Sequence, residues 1–133
     1  AMALAKDRNT KTRAPGNWAY KMAAAKVYQG GIVALNAAGF AVPGATATTL
    51  TALGVAQQTV DNSGGSAGDK RVEVQRGCFF FANSGGDPVV QADVGKPCYI
   101  VDDETVAHSN GTNTRSVAGI VREVETGGVW VEF

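Results

Sequence analysis

Residues 71–76, Arg-Val-Glu-Val-Gln-Arg, alternate polar and apolar side chains without a break, the pattern of a strand with one face in a core and the other in solvent. Other apolar runs repeat the theme. Ile32-Val33-Ala34-Leu35-Asn36 reads as a strand, Ala37-Ala38-Gly39 as its turn and Phe40-Ala41-Val42 as the return, stopped by Pro43-Gly44, which together predict a β-hairpin. Trp18 to Met22 alternates large and small residues and predicts a short strand with Trp18, Tyr20 and Met22 on one face. Ala23 to Lys26 has helix-forming residues, but Val27-Tyr28 and Gly30-Gly31 leave a helical turn no room to propagate.

Further on, Leu53 to Val60 reads as extended, with Gly54 and Ala56 leaving room for close packing. Asp61 to Asp69, rich in Gly and Ser, is expected to be the longest unstructured loop, exposed and mobile. After Gly77, a bulge or corner, Cys78-Phe79-Phe80-Phe81-Ala82 is apolar on both faces and is expected at the centre of the fold or at a subunit contact. Asn83 to Pro88 is a loop, Asp93 to Pro97 a turn and Cys98 to Val101 a strand. Asp102-Asp103-Glu104-Thr105 forms an acidic turn before the short strand at Val106 and Ala107, and His108 to Thr114 a polar loop. Arg115 to Glu125 is a long strand, Thr126-Gly127-Gly128 a turn and Val129 to Phe133 the closing strand. A chain tied down in a last strand suits a closed or nearly closed barrel or sandwich.

Composition agrees. The chain has 133 residues, enough for one modest core. Its 17 Gly, with many Ser, Thr, Asn and Asp, point to short strands separated by turns. The fold class expected is all-β: a small β-barrel or β-sandwich of short antiparallel strands with an extended N-terminal arm, the arm spanning 1–25 and the β-rich domain 26–133. No run approaches the roughly 18 apolar residues of a membrane span, and the N-terminus lacks the apolar segment of a signal peptide, so no membrane partner and no export are expected. Cys78 and Cys98 sit in apolar, strand-like contexts and are expected as free thiols, in line with a reducing cytoplasm.

Charge divides the chain in two. In the first 28 residues Lys6, Arg8, Lys11, Arg13, Lys21 and Lys26 face only Asp7, a net +5; because the whole chain is neutral, the remainder carries −5. A basic leader broken by Pro15 and Gly16, with few large apolar residues before Trp18, buries too little surface to order itself alone. It reads as an arm that needs a partner. Lys6, Arg8, Lys11 and Arg13 with Trp18 and Tyr20 suit either a polyanion, through counterion release and stacking, or an acidic protein surface. The acidic body would be repelled by a polyanion, so a protein partner is favoured and nucleic acid is not. Trp18, Tyr20 and Met22 either anchor the arm to its partner or belong to the domain's own core.

Catalytic chemistry finds little support. Asp102, Asp103 and Glu104 with His108 nearby form the cluster closest to a metal or acid/base site, but successive carboxylates on a turn point apart and a lone His lacks a second ligand at metal spacing. Gly64 to Lys70 lacks the phosphate-loop spacing, and Ser63 and Ser84 lack the nucleophile-elbow glycines. No catalytic residue, cofactor or metal is assigned.

Several segments, in order, resemble a known family. Val27-Tyr28-Gln29-Gly30-Gly31-Ile32-Val33-Ala34-Leu35-Asn36, Val60-Asp61-Asn62, Val72-Glu73-Val74-Gln75-Arg76-Gly77, Asp93 to Asp103, and Ser116 to Val121 through Val129-Trp130-Val131 are similar to the capsid cement, or head decoration, proteins of tailed bacteriophages. The resemblance covers roughly residues 26–133 and lies in turns and strands, not in a chemical signature. It implies a non-enzymatic structural protein on the outer surface of a virion. Its expected partners are the major capsid protein and itself, as a homo-oligomer with a trimer favoured. Phe79, Phe80, Phe81, Trp130 and Phe133 are then candidates for core or intersubunit packing. Two rivals carry distinct expectations. A carbohydrate- or surface-binding β module of a virion tail would present an exposed aromatic platform with a groove, and a hydrolase would need the acidic triplet to converge with His108 in a pocket.

Overall fold

The structure is a computed structural model that describes residues 3, 5, 6 and 16–133. Arg8, Lys11 and Arg13, assigned above to the arm, lie outside the described residues. Among the described residues the chain is all-β, apart from a single 3-10 turn at Gln91–Asp93. The described residues form twelve strands: β1 (Asn17–Lys21), β2 (Lys26–Val27), β3 (Ile32–Leu35), β4 (Ala41–Pro43), β5 (Thr51–Ala56), β6 (Val60–Asp61), β7 (Arg71–Gln75), β8 (Cys78–Asn83), β9 (Pro97–Ile100), β10 (Thr105–Ala107), β11 (Val117–Glu125) and β12 (Gly128–Glu132).

They form two main units. The first is a five-stranded antiparallel sheet in the order β1-β7-β5-β3-β4. Its ends curl toward each other: just past β1, Met22 forms a parallel bridge to Ala41 of β4. The second is a closed barrel of β10, β8, β12, β11 and β9, antiparallel except for the parallel β8–β10 pair. Closure removes the free strand edges that would otherwise pair with another chain. The two-residue strands β2 and β6 pair beside the sheet.

Each unit has its own core, and the two meet on β3. Ile32 and Ala34 belong to the barrel-side cluster with Cys98, Ile100, Val106, Val121, Val129 and Val131. Val33, between them, belongs to the cluster inside the curled sheet with Met22, Val27, Ala41, Val72 and Val74. Side chains alternate across a strand, so a strand apolar at every position fills two cores at once. β5 does the same with Val55 and Ala56. The β3–β5 pairing carries a bulge: Val33 pairs Gly54 and Ala34 pairs Ala52, leaving Leu53 as the extra residue.

The expected hairpin is present as β3 and β4, with Asn36 holding its turn by accepting hydrogen bonds from the amides of Ala38 and Phe40 at 3.0 Å. The alternating segment at 71–76 is β7, with Val72 and Val74 buried. Residues 53–60 are not one strand: β5 ends at Ala56 and β6 begins at Val60. The loop at 61–69 also departs from expectation, because it is organised around a buried side chain. Asn62 is 1% exposed and its amide donates to the carbonyls of Ala23 and Ser66, both at 3.0 Å. Gly68 N–H donates to Met22 O at 2.8 Å. An Asn in a Gly/Ser-rich stretch gives no sign that one of its partners, Ala23, lies 39 positions earlier.

Candidate functional site

The residues ahead of the domain enter it as an edge strand. β1 pairs with β7 in the register Trp18↔Val74 and Tyr20↔Val72, and its exposure alternates as Trp18, Tyr20 and Met22 require. Met22 is fully buried in the sheet's core and Tyr20 packs against that core. Met22 and Tyr20 therefore belong to the domain's own packing, and Trp18 is half-buried on the same face. The described sheet begins where Gly16 O accepts a hydrogen bond from Arg76 N–H at 3.1 Å, inside the span 1–25 first read as arm. Lys6 is exposed.

The aromatic run 79–81 divides by strand alternation. Phe81 is buried, and Phe79 and Phe133 pack against the same interior cluster. Phe133 meets Phe81 edge-on at 5.8 Å and Phe79 at 6.4 Å between ring centroids. Phe80 points the other way. It pairs in register with Trp130 on the outer wall of the barrel, rings 5.2 Å apart and inclined by 54°, and 43% of its surface is exposed. Cys78 is exposed on the same strand. The segment is thus central in the barrel, yet only one of its faces is interior.

Polar side chains gather at one end of the barrel, where the sequence suggested only loops. Asp87 accepts hydrogen bonds from the hydroxyl and amide of Ser109 and from Arg115 Nη1, the last at 2.9 Å. Arg115 also donates to Ser109 O at 3.0 Å. The Ser109 hydroxyl, followed by the remaining donors, holds the Asp87 carboxyl below its ordinary range. Nearby, Asp93 accepts from Val90 N–H at 2.9 Å and meets His108 Nδ1 at 2.8 Å. The Val90 amide is the main cause of its lowered pKa, with His108 adding to it. These groups clamp the loops 83–93 and 108–115 together. Their partners sit 15 to 28 positions apart, a spacing with no local signature.

The acidic turn stands elsewhere. Glu104 N–H donates to Asp102 at 2.9 Å, an ordinary turn-closing bond. Asp103 and Glu104 line a shallow cleft with Tyr28, Gln29, Gly30 and Gly31, and His108 is not among the lining residues. The convergence a hydrolase would need is not formed. Among the described residues no group of three or more His, Cys, Asp or Glu could hold a metal ion, and no helix is long and apolar enough to cross a membrane. Both cysteines are free thiols. Burial pushes the Cys98 thiol up to about 11.

No family model, curated protein or solved structure matches the chain.

Proposed function

We propose that the protein is a structural capsid decoration, or cement, protein. In this reading it binds the outer surface of a phage head and stabilises the expanded shell, with its basic N-terminal arm lying across neighbouring subunits of the major capsid protein. One observation carries the reading. A segment with a surplus of positive charge leads directly into an edge strand locked into the domain's core by Tyr20 and Met22. Load reaching β1 is thereby borne by the domain's core. The ordered resemblance of residues 26–133 to head decoration proteins supports the same reading.

The physical logic is avidity. A contact that spans several subunits resists their separation, and many copies multiply individually small energies. A body with a surplus of carboxylates keeps a densely covered particle soluble. Oligomerisation, with a trimer favoured, would add valency.

Binding to expanded heads tests the reading. Removing residues 1–15, which leaves Gly16 and β1 in place, is expected to weaken binding at least tenfold while the melting temperature of the body moves little. Undiminished binding by the shortened chain overturns the role of the arm. If Lys6, Arg8, Lys11 and Arg13 carry the contact, affinity also falls as salt rises, because the screening length is already about 8 Å at physiological ionic strength.

The outward pair Phe80 and Trp130 favours a second reading, a carbohydrate- or surface-binding β module, since flat aromatic faces are also what a sugar ring packs on. Neutral oligosaccharides that quench Trp130 fluorescence at millimolar levels or below would support that reading over the first.

A further inference from the structure

Two features remain without an assigned contact between them: the outward aromatic pair of the barrel wall and the basic segment ahead of β1. The Phe80 ring lies over Gly128, where the first carbon of any side chain would come within 2.5 Å of it, and leans on Trp130. Glu123 shares face and register with Trp130, and Glu125 accepts the Trp130 indole N–H at 3.2 Å. Both carboxylates are exposed. The neighbouring Glu132 is already engaged by Arg122 at 2.9 Å. The wall therefore offers two aromatic faces beside two carboxylates that no basic side chain among the described residues neutralises.

Such a surface attracts cations twice, by Coulomb attraction to the carboxylates and by the negative face of the rings, for which Arg and Lys are the natural partners. The chain holds such cations at close spacing: Lys6, Arg8, Lys11 and Arg13, offset by Asp7 alone. Extended, residues 6–13 reach about 25 Å. The outer faces of β8, β12 and β11 together are only about 10 Å across, so the segment is long enough to cross them.

We propose that, in the free protein, residues 6–13 of one copy bind the wall formed by Phe80, Trp130, Glu123 and Glu125 of a second copy. The charge complementarity is internal to the sequence: a neutral chain with its positive and negative halves segregated associates head to tail without long-range repulsion. Such a contact joins two different surfaces and so propagates from copy to copy until it closes into a ring. The contact needs no shell, so its failure and the failure of head binding are distinguishable.

Sedimentation of the full chain over a range of concentrations tests it, using two variants made with neutral substitutions. The arm variant carries Lys6→Gln, Arg8→Gln, Lys11→Gln and Arg13→Gln; the wall variant carries Phe80→Thr, Glu123→Gln and Glu125→Gln. The unaltered chain is expected to associate, and to do so at least about tenfold more weakly when salt shortens the screening length from about 10 Å to about 3 Å. Each variant alone should be monomeric. Their equimolar mixture should form dimers and nothing larger, because one supplies the arm and the other the wall. An unaltered chain that stays monomeric at every concentration, its arm held by its own wall or by none, overturns the proposal. So does an arm variant that associates as well as the unaltered chain, which would mean wall-to-wall packing. Should the wall variant fail to fold, Glu123→Gln with Glu125→Gln alone is expected to weaken association severalfold, and unchanged association overturns the proposal.

Discussion

A methyl group at position 54 would sit 2.3 Å from the Gln75 carbonyl oxygen and 3.0 Å from a Val74 methyl, on a backbone with φ of +148°. Contact and conformation both exclude a side chain there, so Gly54→Ala is expected to cost about 2–4 kcal/mol in chemical denaturation. Asn62→Ala removes the buried side-chain amide that ties the Ala23 and Ser66 carbonyls together, leaving each with only its backbone donor, Ala25 N–H or Asp69 N–H, with an expected loss of about 1–2 kcal/mol. The cysteines should separate by reactivity. Cys78 is exposed, whereas Cys98 is buried with its thiol pushed up to about 11; a thiol reagent at neutral pH should modify one Cys in the native protein and both only on unfolding. Asp93 sets an acid limit. Its folded pKa lies below the ordinary 3.8, so the stability it contributes is present above 3.8 and is lost as pH falls through the lower folded value. Asp93→Asn should therefore lose stability near neutral pH and differ less from the unaltered protein in strong acid, as denaturant midpoints would reveal. These residues show where sequence reading stops. Gly54 was legible as a site of close packing, because a glycine in an apolar strand has few other uses. Asn62, Asp87 and Asp93 were not, since their roles depend on partners that only the folded chain brings near.

Strands were legible where one face is wet. β7 alternates and was readable to within a residue of its end; the β3–β4 hairpin announced itself by its turn. The all-apolar run of β8 could not be assigned a face from periodicity, because a strand with Phe on both sides gives no alternation to read. The register with β12 decides it, sending Phe79 and Phe81 inward and Phe80 out. The same logic explains the candidate interaction surfaces. Trp18, Tyr20 and Met22 were correctly placed on one face of a strand, but whether that face served a partner or the core depended on β1 finding β7. A test at this scale follows from Tyr20, which packs against the sheet's core. Tyr20→Ala should lower overall stability by about 2–3 kcal/mol, whereas the outward Phe80→Thr, which gives up its packing on Gly128 and Trp130, should cost less, about 1–2 kcal/mol.

At the scale of the molecule, the sheet and the barrel cannot melt independently if β3 and β5 are shared. Trp18 lies in the sheet and Trp130 in the barrel, so the two tryptophans form a built-in pair of reporters. Variants retaining only one of them, Trp18→Phe or Trp130→Phe, should each unfold in a single transition, and the fluorescence midpoints of the two halves should agree with circular dichroism of the same sample. Separate midpoints would mean that β3 does not couple the cores. That the chain is all-β was foreseeable from its short runs and turns, which suited a barrel or a sandwich; the structure contains a closed barrel. That it also contains a second, curled sheet with its own core was not, because a strand shared between cores looks the same in sequence as one buried in a single core. Near β7, Gly16 O is bonded to Arg76 N–H, and Phe133 N–H donates to Gly77 O at 2.8 Å. Residues 16 and 133 are thus fastened to consecutive positions of the same connection, at a single seam. A short linker across that seam would make the folded part a continuous loop of chain, which could be reopened between the exposed Gly85 and Gly86 as a circular permutant. It also means that a domain fused after Phe133 would start beside Gly16, so that, if the arm binds a surface as proposed, the fused domain would be delivered to that surface.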